Sequence, residues 1–541
     1  MTLFRLTLRA HRTGLIATAL LGAVTGLLNA VAYAQIAGNT PLERALFAQQ
    51  MELLARQLSY LLPNPVQLDT MAGYLVWRAF GVIAIVYAFW GLLAGTGAGR
   101  GDEERGLVEL WLATGVSRVR WAVTRAVGFF VIAAVSLAVT FGATEIGTVA
   151  VNDALPVGPL ALQGLAMWAL TIAAYGFGLL ASQQPTTRRA ASTMGGALLL
   201  VLFLVNSAGR SGLDLGALRW ASPFYLYERS APPLRGGSLD VGATLALILL
   251  AVALVALSAI AFSRRDLGGQ VIRFAVGRTR PTTRPSGDPL LRVPVLAIVD
   301  QQRLWVAGWA IGLAALAAFL TSLTRTIVDS LANANIPLMR AYFQRAGIAA
   351  YSDFVGVIWF TTLLLLVSIF VIVQVNSWAA DDAEGRLEAI LSAPVSRTRV
   401  VLERIGAVLI AAAVVVSCSS VGVYLAANAN EISLSTGRFV VASADVIPVA
   451  YAFAGIGHAL VGWRPRIAVV ALGAVAAISY LTQQFAPLFE WPDWVKNTSL
   501  YALYGTPLSN DDWPGIATLV AIGIAGTAIA LVVMRRRDVG R

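Results

Sequence analysis

The chain has 541 residues, of which 57% are hydrophobic and only 13% are charged. That balance excludes a soluble globular protein of this size and predicts a membrane protein surrounded by the lipid bilayer. The formal net charge of +11 does not call for a nucleic-acid partner, because the cytoplasmic loops of membrane proteins carry an excess of Lys and Arg.

Twelve windows without charged residues follow one another along the chain. Each is about 18 residues or longer, and roughly 20 apolar residues cross a hydrocarbon core as a helix. They lie at 13–42, 79–99, 126–144, 154–187, 190–209, 241–263, 304–324, 354–380, 405–430, 446–463, 467–489 and 513–534. The sequence therefore predicts an all-α membrane protein with twelve transmembrane helices, and the Lys and Arg of its loops place both termini in the cytoplasm.

The first window raises the question of a signal peptide. Arg5, Arg9 and Arg12 precede an apolar run that ends near Ala32-Tyr33-Ala34, which resembles a cleavage site. The run itself, 13–37, is longer than the roughly 7–15 apolar residues usual in a signal peptide. The sequence therefore favours an uncleaved first span.

A segment that we expect outside the membrane follows. Pro41 to Tyr60 has leucines near helical spacing and predicts an amphipathic helix, with a less regular counterpart at Pro337 to Gly347. Two interpretations stay open for these segments. They cap an exit, or they lie at the membrane interface.

The segment Asp102 to Arg125 has a second copy 279 positions later, at Asp381 to Arg404. The identical positions include Gly106, Glu109, Leu112, Val116, Ser117, Arg118, Arg120 and Arg125, matched by Gly385, Glu388, Leu391, Val395, Ser396, Arg397, Arg399 and Arg404. Two copies of one segment predict two copies of one structural unit.

Each copy has the pattern of a short amphipathic helix, at about 102–118 and 381–397, that ends at Gly115 or Pro394. The apolar residues are Leu107, Leu110, Trp111 and Leu112 in the first copy and Leu387, Ile390 and Leu391 in the second. Glu109 and Glu388 lie off this apolar stripe. A single copy would be consistent with an ordinary loop at the lipid phosphates, but the repetition favours a docking surface.

One segment has the composition of a linker. Residues 263–303 are rich in arginine and contain four prolines, and they separate two regions with six predicted spans each, 1–262 and 304–541. Arg264-Arg265-Asp266 closes the first region, and Arg536-Arg537-Asp538 closes the second. Six spans per region predict two parallel repeats related by an axis along the membrane normal.

Several chemistries are excluded by missing residues. A nucleotide-binding loop of the Walker A type requires lysine after glycine, and the only lysine, Lys496, follows Val495. No metal-ligand cluster and no nucleophile motif is present. Of the two histidines, His11 lies at the predicted inner surface, and the position of His458 in the tenth span favours a packed or water-contacting role near the cytoplasmic end. The single cysteine, Cys418, excludes an intramolecular disulfide. We therefore expect no cofactor and no catalytic residue on this chain.

The second copy, Glu384-Gly385-Arg-Leu-Glu388-Ala-Ile-Leu391-Ser-Ala-Pro394-Val395-Ser396-Arg397, resembles the segment after the second span of ABC-2 type exporter permeases. Two fused six-span halves without large outer domains are similar to the polyketide-antibiotic and multidrug exporter permeases of that group. The first copy departs from the pattern, with Gly115 in place of proline and Arg105 in place of Glu384.

The resemblance implies that Leu107, Glu109, Leu110, Trp111, Leu112, Leu387, Glu388, Ile390, Leu391 and Pro394 belong to coupling helices. These helices would dock on a homodimer of a separate ATPase subunit, which binds the ATP and Mg²⁺. Alternating access would then move a lipophilic, drug- or antibiotic-like compound out of the cell, across a bacterial inner membrane. Family resemblance also suggests a substrate pathway along the second and fifth spans of each half, with Trp77, Phe80, Phe203, Asn206, Phe354, Trp359, Gln483 and Phe485 as candidates.

Alternatives remain at this stage. The main one is a twelve-span, proton-coupled secondary drug carrier, which would need ionisable residues inside its spans. Glu145 and Arg78 are the nearest candidates, and both lie toward predicted outer ends. A membrane-embedded enzyme and a membrane scaffold are the other classes that the composition allows.

Overall fold

The computed structural model describes residues 2–38, 40–57, 59, 62–270, 292–333, 351–383, 385–486, 491–505, 508 and 513–537. The chain forms two compact units, Met1–Arg280 and Pro281–Arg541. The boundary lies within the predicted linker, most of which is outside the described residues, as is the predicted outer segment Pro337 to Gly347.

Within the described residues, all regular structure is helical, and twelve helices are long and apolar enough to cross a membrane. They run Leu3–Ile36, Met71–Glu104, Arg118–Ala150, Val157–Ala181, Arg188–Arg210 and Val241–Arg264 in the first unit, and Arg303–Ser322, Tyr351–Asp382, Arg397–Ala429, Thr436–Trp463, Ile467–Phe485 and Trp513–Arg536 in the second. The predicted all-α fold class with twelve spans is confirmed. We number these helices as spans 1 to 12.

Shorter helices connect or flank the spans. They are Pro41–Gln57, Leu107–Leu112, Pro223–Glu228, Pro294–Gln301, Arg386–Leu391 and Asp493–Lys496, with 3-10 turns at Gly216–Ala221 and Ala502–Tyr504. The helix expected within Pro41 to Tyr60 is present as Pro41–Gln57.

Several spans extend beyond the charge-free windows. Span 2 begins eight residues before its predicted start at residue 79 and continues past residue 99 to Glu104. Its last turns contain Arg100, Asp102 and Glu103, which are all buried. The prediction that charged residues mark the ends of a span was wrong here, because these charged side chains are paired inside the protein and do not face lipid.

Glycines allow the closest helix contacts within each unit. In the first unit, a Cβ atom at Gly95 of span 2 would lie 2.2 Å from the carbonyl oxygen of Tyr175 in span 4. In the second unit, a Cβ at Gly455 of span 10 would lie 2.5 Å from the carbonyl oxygen of Gly523 in span 12. Small residues at such positions let membrane helices approach closely and gain van der Waals contacts.

We expect Gly95→Ala to destabilise the first unit by about 1–3 kcal/mol, the usual cost of overpacking. The measurement is the apparent melting temperature of the purified chain. Gly142→Ala in span 3 is the matched control, because nothing lies within 4 Å of a Cβ placed there. Equal melting temperatures for the two variants would contradict the packing described.

Candidate coupling site

The two short helices Leu107–Leu112 and Arg386–Leu391 have the same local geometry. Each follows a glycine in the left-handed region, Gly106 at φ 69° and Gly385 at φ 72°. A residue with a Cβ atom is strained in that conformation, which explains glycine at both positions. We call these elements the first and second short helix.

Each short helix packs against its own unit through one buried side chain. Val108 is 1% exposed and packs with Leu3, Trp121 and Phe262. At the matching position of the second unit, Leu387 is 2% exposed and packs with residues of spans 9 and 12. Burial of these side chains holds each short helix against the ends of its neighbouring spans.

An arginine connects the start of one span to the end of another in both units. The guanidinium of Arg118 donates to the carbonyl oxygens of Phe262 at 3.1 Å and Arg265 at 2.5 Å. Arg397 donates in the same way to Met534 at 2.9 Å and to Arg537 at 2.6 Å. These bonds satisfy carbonyl groups that the end of a helix leaves without an intrahelical partner.

A carboxylate at the end of each unit's second span pairs with an arginine of its third. Asp102 of span 2 accepts a hydrogen bond from Arg125 of span 3, and both side chains are almost fully buried. In the second unit, Asp381 pairs with Arg404 at 2.8 Å. The two pairs occupy positions 279 apart, as the sequence copies do.

A second carboxylate ties the same span to the segment that follows the unit's last span. Glu103 accepts hydrogen bonds from Arg265 at 2.6 and 2.8 Å and from the backbone N–H of Gly268 at 2.5 Å. Asp382 pairs with Arg537 at 2.7 Å at the matching position. Three spans of each unit are therefore joined beside its short helix.

The first unit has one further charged residue, Arg100, in this cluster. Arg100 donates to Glu103 at 3.0 Å and to the carbonyl oxygen of Gly269 at 2.9 Å. Its matching position in the second unit is Ala379. The charge cluster is therefore larger in the first unit.

The predicted coupling residues divide into a packed set and an exposed set. Leu107, Trp111, Leu112 and Leu391 are partly buried against their own units, and Leu387 is buried. The exposed residues are Glu109, Leu110, Glu388, Ile390 and Pro394. Leu110 is 68% exposed and Ile390 40%, so these two are the apolar side chains most accessible to a partner.

The predicted pathway residues of the first unit are brought together only in part. Trp77 and Asn206 line one cavity. Phe203 is partly buried against the hydrophobic core that contains Trp77 and Phe80. Phe80 is fully buried, with its ring centroid 4.9 Å from that of Phe141. A pathway through these residues remains a prediction.

In the second unit, the candidate pathway residues lie at or near the core. Phe354 and Trp359 are buried, with exposed fractions of 6% and 1%. Gln483 and Phe485 are partly buried, and the amide oxygen of Gln483 has no hydrogen-bond partner in the described part of the chain. Their role in transport also remains a prediction.

Sequence reasoning missed the buried charge clusters as a structural feature. The repetition of Arg125, Arg404 and the Arg-Arg-Asp segments predicts equivalent positions but does not identify their partners. The signal was available, since acidic residues 102–103 and 381–382 precede each short helix in both copies.

Family models match both units. Residues 5–267 match the model described as ABC-2 family transporter protein, and residues 291–535 match the model described as the C-terminal domain of the multidrug efflux system permease Rv1217c. No individual curated protein shows a significant match. The twelve-span fold and the two family matches define a membrane transport component, and the chain belongs to the ABC-2 type exporter permeases.

We expect Glu103→Gln to lower the apparent melting temperature of the purified chain more than Asp382→Asn. Removing one partner of a buried ion pair costs about 3–5 kcal/mol, and Glu103 serves two guanidiniums while Asp382 serves one. The exposed Glu109→Gln is the control and should leave the melting temperature unchanged. An equal shift in all three variants would show that the cluster does not stabilise the first unit.

Proposed function

We propose that the chain is the membrane subunit of an ATP-binding-cassette exporter that moves lipophilic, drug- or antibiotic-like compounds out of the cell. The observation that carries this proposal is the pair of short helices. Each is fixed to its unit by buried residues on one side and presents an apolar residue and a glutamate on the other.

The partner in this proposal is a homodimer of a separate ATPase. Two equivalent short helices match a dimer with two equivalent grooves, one for each helix. ATP and Mg²⁺ would bind on the partner, because this chain lacks the lysine motif of a phosphate-binding loop. We expect two ATPase subunits to associate with each chain.

The ion pairs suggest how force would pass from the ATPase to the spans. Span 2 carries Asp102 and Glu103, which hold span 3 through Arg125 and the end of span 6 through Arg265. A displacement of the first short helix would therefore move the ends of three spans together. ATP-driven closure of the partner would shift the equilibrium between inward-open and outward-open states by binding them with different affinity.

The proton-coupled carrier is less well supported by the same contacts. Such a carrier needs a carboxylate inside its spans that gains and loses a proton during transport. Asp102 pairs with Arg125 and Glu103 pairs with Arg265, so both carboxylates serve as ion-pair partners that join neighbouring spans. These two carboxylates are suited to a structural role.

We expect Leu110→Asp and Ile390→Asp each to weaken binding of the ATPase by about tenfold or more, because a charge replaces an apolar contact at the centre of an interface. The measurement is a binding titration of the purified chain with the ATPase that copurifies with it. Leu213→Asp is the matched control, because Leu213 is exposed and lies just after the end of span 5. The start of span 5 is the end near the first short helix, since the backbone N–H of Arg188 donates to Glu104 there. Leu213 therefore lies at the opposite end of this span.

Retention of wild-type affinity by both short-helix variants, with normal membrane insertion, would show that these helices are ordinary loops. Loss of affinity in Leu213→Asp as well would indicate a general defect.

We expect Glu388→Lys and Glu109→Lys to reduce substrate-stimulated ATPase activity more than the corresponding Gln variants, because reversal adds repulsion to the lost hydrogen bond. Glu388→Lys should have the larger effect, since Pro394 fixes the turn after the second short helix, whereas Gly115 leaves the first one freer. Equal activity of the Lys and Gln variants would exclude a paired glutamate at the interface.

A further inference from the structure

A cavity of about 260 Å³ lies inside the first unit, at the end of span 2 far from the first short helix. Trp77 lies at the start of span 2, and the 27 residues between Trp77 and Glu104 correspond to roughly 40 Å of helix. The other walls come from the loop before span 2, the end of span 5, the 3-10 turn Gly216–Ala221, the helix Pro223–Glu228 and the segment that follows this helix. The cavity is therefore separate from the candidate coupling site.

The wall formed by span 2 has an unusual backbone. Residues Leu75–Phe80, which include Trp77, form a π-helical segment. The corresponding span of the second unit belongs to a continuous α-helix, Tyr351–Ala383. π-helical turns within α-helices occur frequently at functional sites, and this one places an indole ring in the cavity wall.

Two of the three arginines in the wall have carboxylate partners. Arg210 donates to Oε1 of Glu228 at 2.9 Å, and Asn206 donates to the same oxygen at 2.8 Å. Arg229 pairs with Asp240 at 2.6 Å. Arg219 forms no ion pair with the described residues, so one positive charge of the wall is left uncompensated.

The wall also contains two buried donors without an acceptor. The indole N–H of Trp77 and the Nε–H of Arg219 have no hydrogen-bond partner among the described residues. Buried polar groups in native proteins are nearly always paired, so an exception needs an explanation. Both groups are donors, and both would be satisfied by a ligand that supplies acceptor oxygens.

We propose that this cavity binds a small amphiphilic anion, with its acidic group at Arg219 and its apolar part against the apolar wall beside Trp77. The volume is slightly below the usual range for ligand pockets, which favours a body of about two fused rings. The partly buried side chains of Val76, Tyr225 and Leu234 offer the apolar surface for such a body, and a carboxylate or phosphate matches the guanidinium of Arg219.

Glu228 is the one feature of the wall that would oppose an anion. Burial raises the pKa of this carboxyl, while Arg210 and Asn206 act in the opposite direction. Its charge is already countered by Arg210, so it presents little net repulsion to the cavity. If the ligand were a cation instead, Glu228 would be its main partner, and this difference provides a test.

The two units differ in the segment of the cavity wall that contains Glu228. Ser222 donates to the carbonyl oxygen of Leu202 at 2.7 Å, and Ser499 donates to that of Ser479 at 2.9 Å, which aligns the two segments. In that alignment Glu228 corresponds to Gly505. The ion pair with Arg210 is therefore particular to the first unit.

The experiment is equilibrium dialysis of the full chain in detergent against 2-naphthoate and, separately, 2-naphthylmethylammonium, with detergent alone as the blank. We expect saturable binding of naphthoate only. Arg219→Gln should weaken it about tenfold or more, and Trp77→Phe should weaken it a few fold, because each removes a donor. Arg235→Gln is the matched control, since Arg235 is 77% exposed outside the cavity wall and should leave affinity within about twofold.

Glu228→Gln distinguishes the two charge types. It should increase naphthoate affinity, because it removes a negative charge from the wall. Absence of saturable naphthoate binding to the folded wild-type chain would overturn the proposal. So would tighter binding of the ammonium compound that Glu228→Gln abolishes.

Two short-chain lipids identify the source of the anion. Displacement of naphthoate by dihexanoylphosphatidylglycerol, but not by dihexanoylphosphatidylcholine, would identify an anionic lipid headgroup as the occupant. Binding of naphthoate that neither lipid displaces would identify a free amphiphilic anion. No ATPase is present, so the result is independent of the proposed coupling.

Discussion

Carboxylates held by arginines at the end of each unit's second span, buried in the first unit and partly buried in the second, are the contacts on which the rest of each unit depends. Charges inside a membrane protein are tolerated only where they are paired, and here each pair joins a different span. Asp102 binds Arg125 of span 3, and Glu103 binds Arg265 after span 6. The second unit repeats both contacts with its own residues. The short helices lie beside these ion pairs and pack against the ends of the neighbouring spans.

The two units are alike in their connections and different in their details. The first unit adds Arg100 to the buried cluster, has two π-helical segments in span 2, and has the Glu228 ion pair beside its cavity. In the described residues of the second unit, the matching positions are Ala379, a continuous α-helix and Gly505. The repeated ion pairs are consistent with two similar docking helices. The features present in the first unit are consistent with a ligand site in that unit.

The fold was largely predictable from the sequence, because apolar length and a repeated segment are local signals. These two signals were sufficient to predict the number of spans and the positions of the short helices. The ends of spans were predicted less well, since Arg100, Asp102 and Glu103 read as loop residues until their distant partners are known. The exposed face of each short helix was also beyond the sequence pattern: Leu112 and Leu391 share the apolar stripe with Leu110 and Ile390, and only the packing of the unit shows which are covered.

The most direct test of the account is site-specific cross-linking of the short helices to the ATPase. Cys418 is the single cysteine and is exposed, so Cys418→Ala gives a background without thiols in this chain. In that background, Leu110→Cys and Ile390→Cys labelled with a maleimide-benzophenone should each photo-cross-link to the copurifying ATPase, because the benzophenone inserts into C–H bonds and needs no thiol on the partner, while labelled Leu213→Cys should not. No cross-link from either short helix in an assembled complex, or an equal yield from Leu213→Cys, would contradict the claim that these helices are the contact through which ATP hydrolysis reaches the membrane spans.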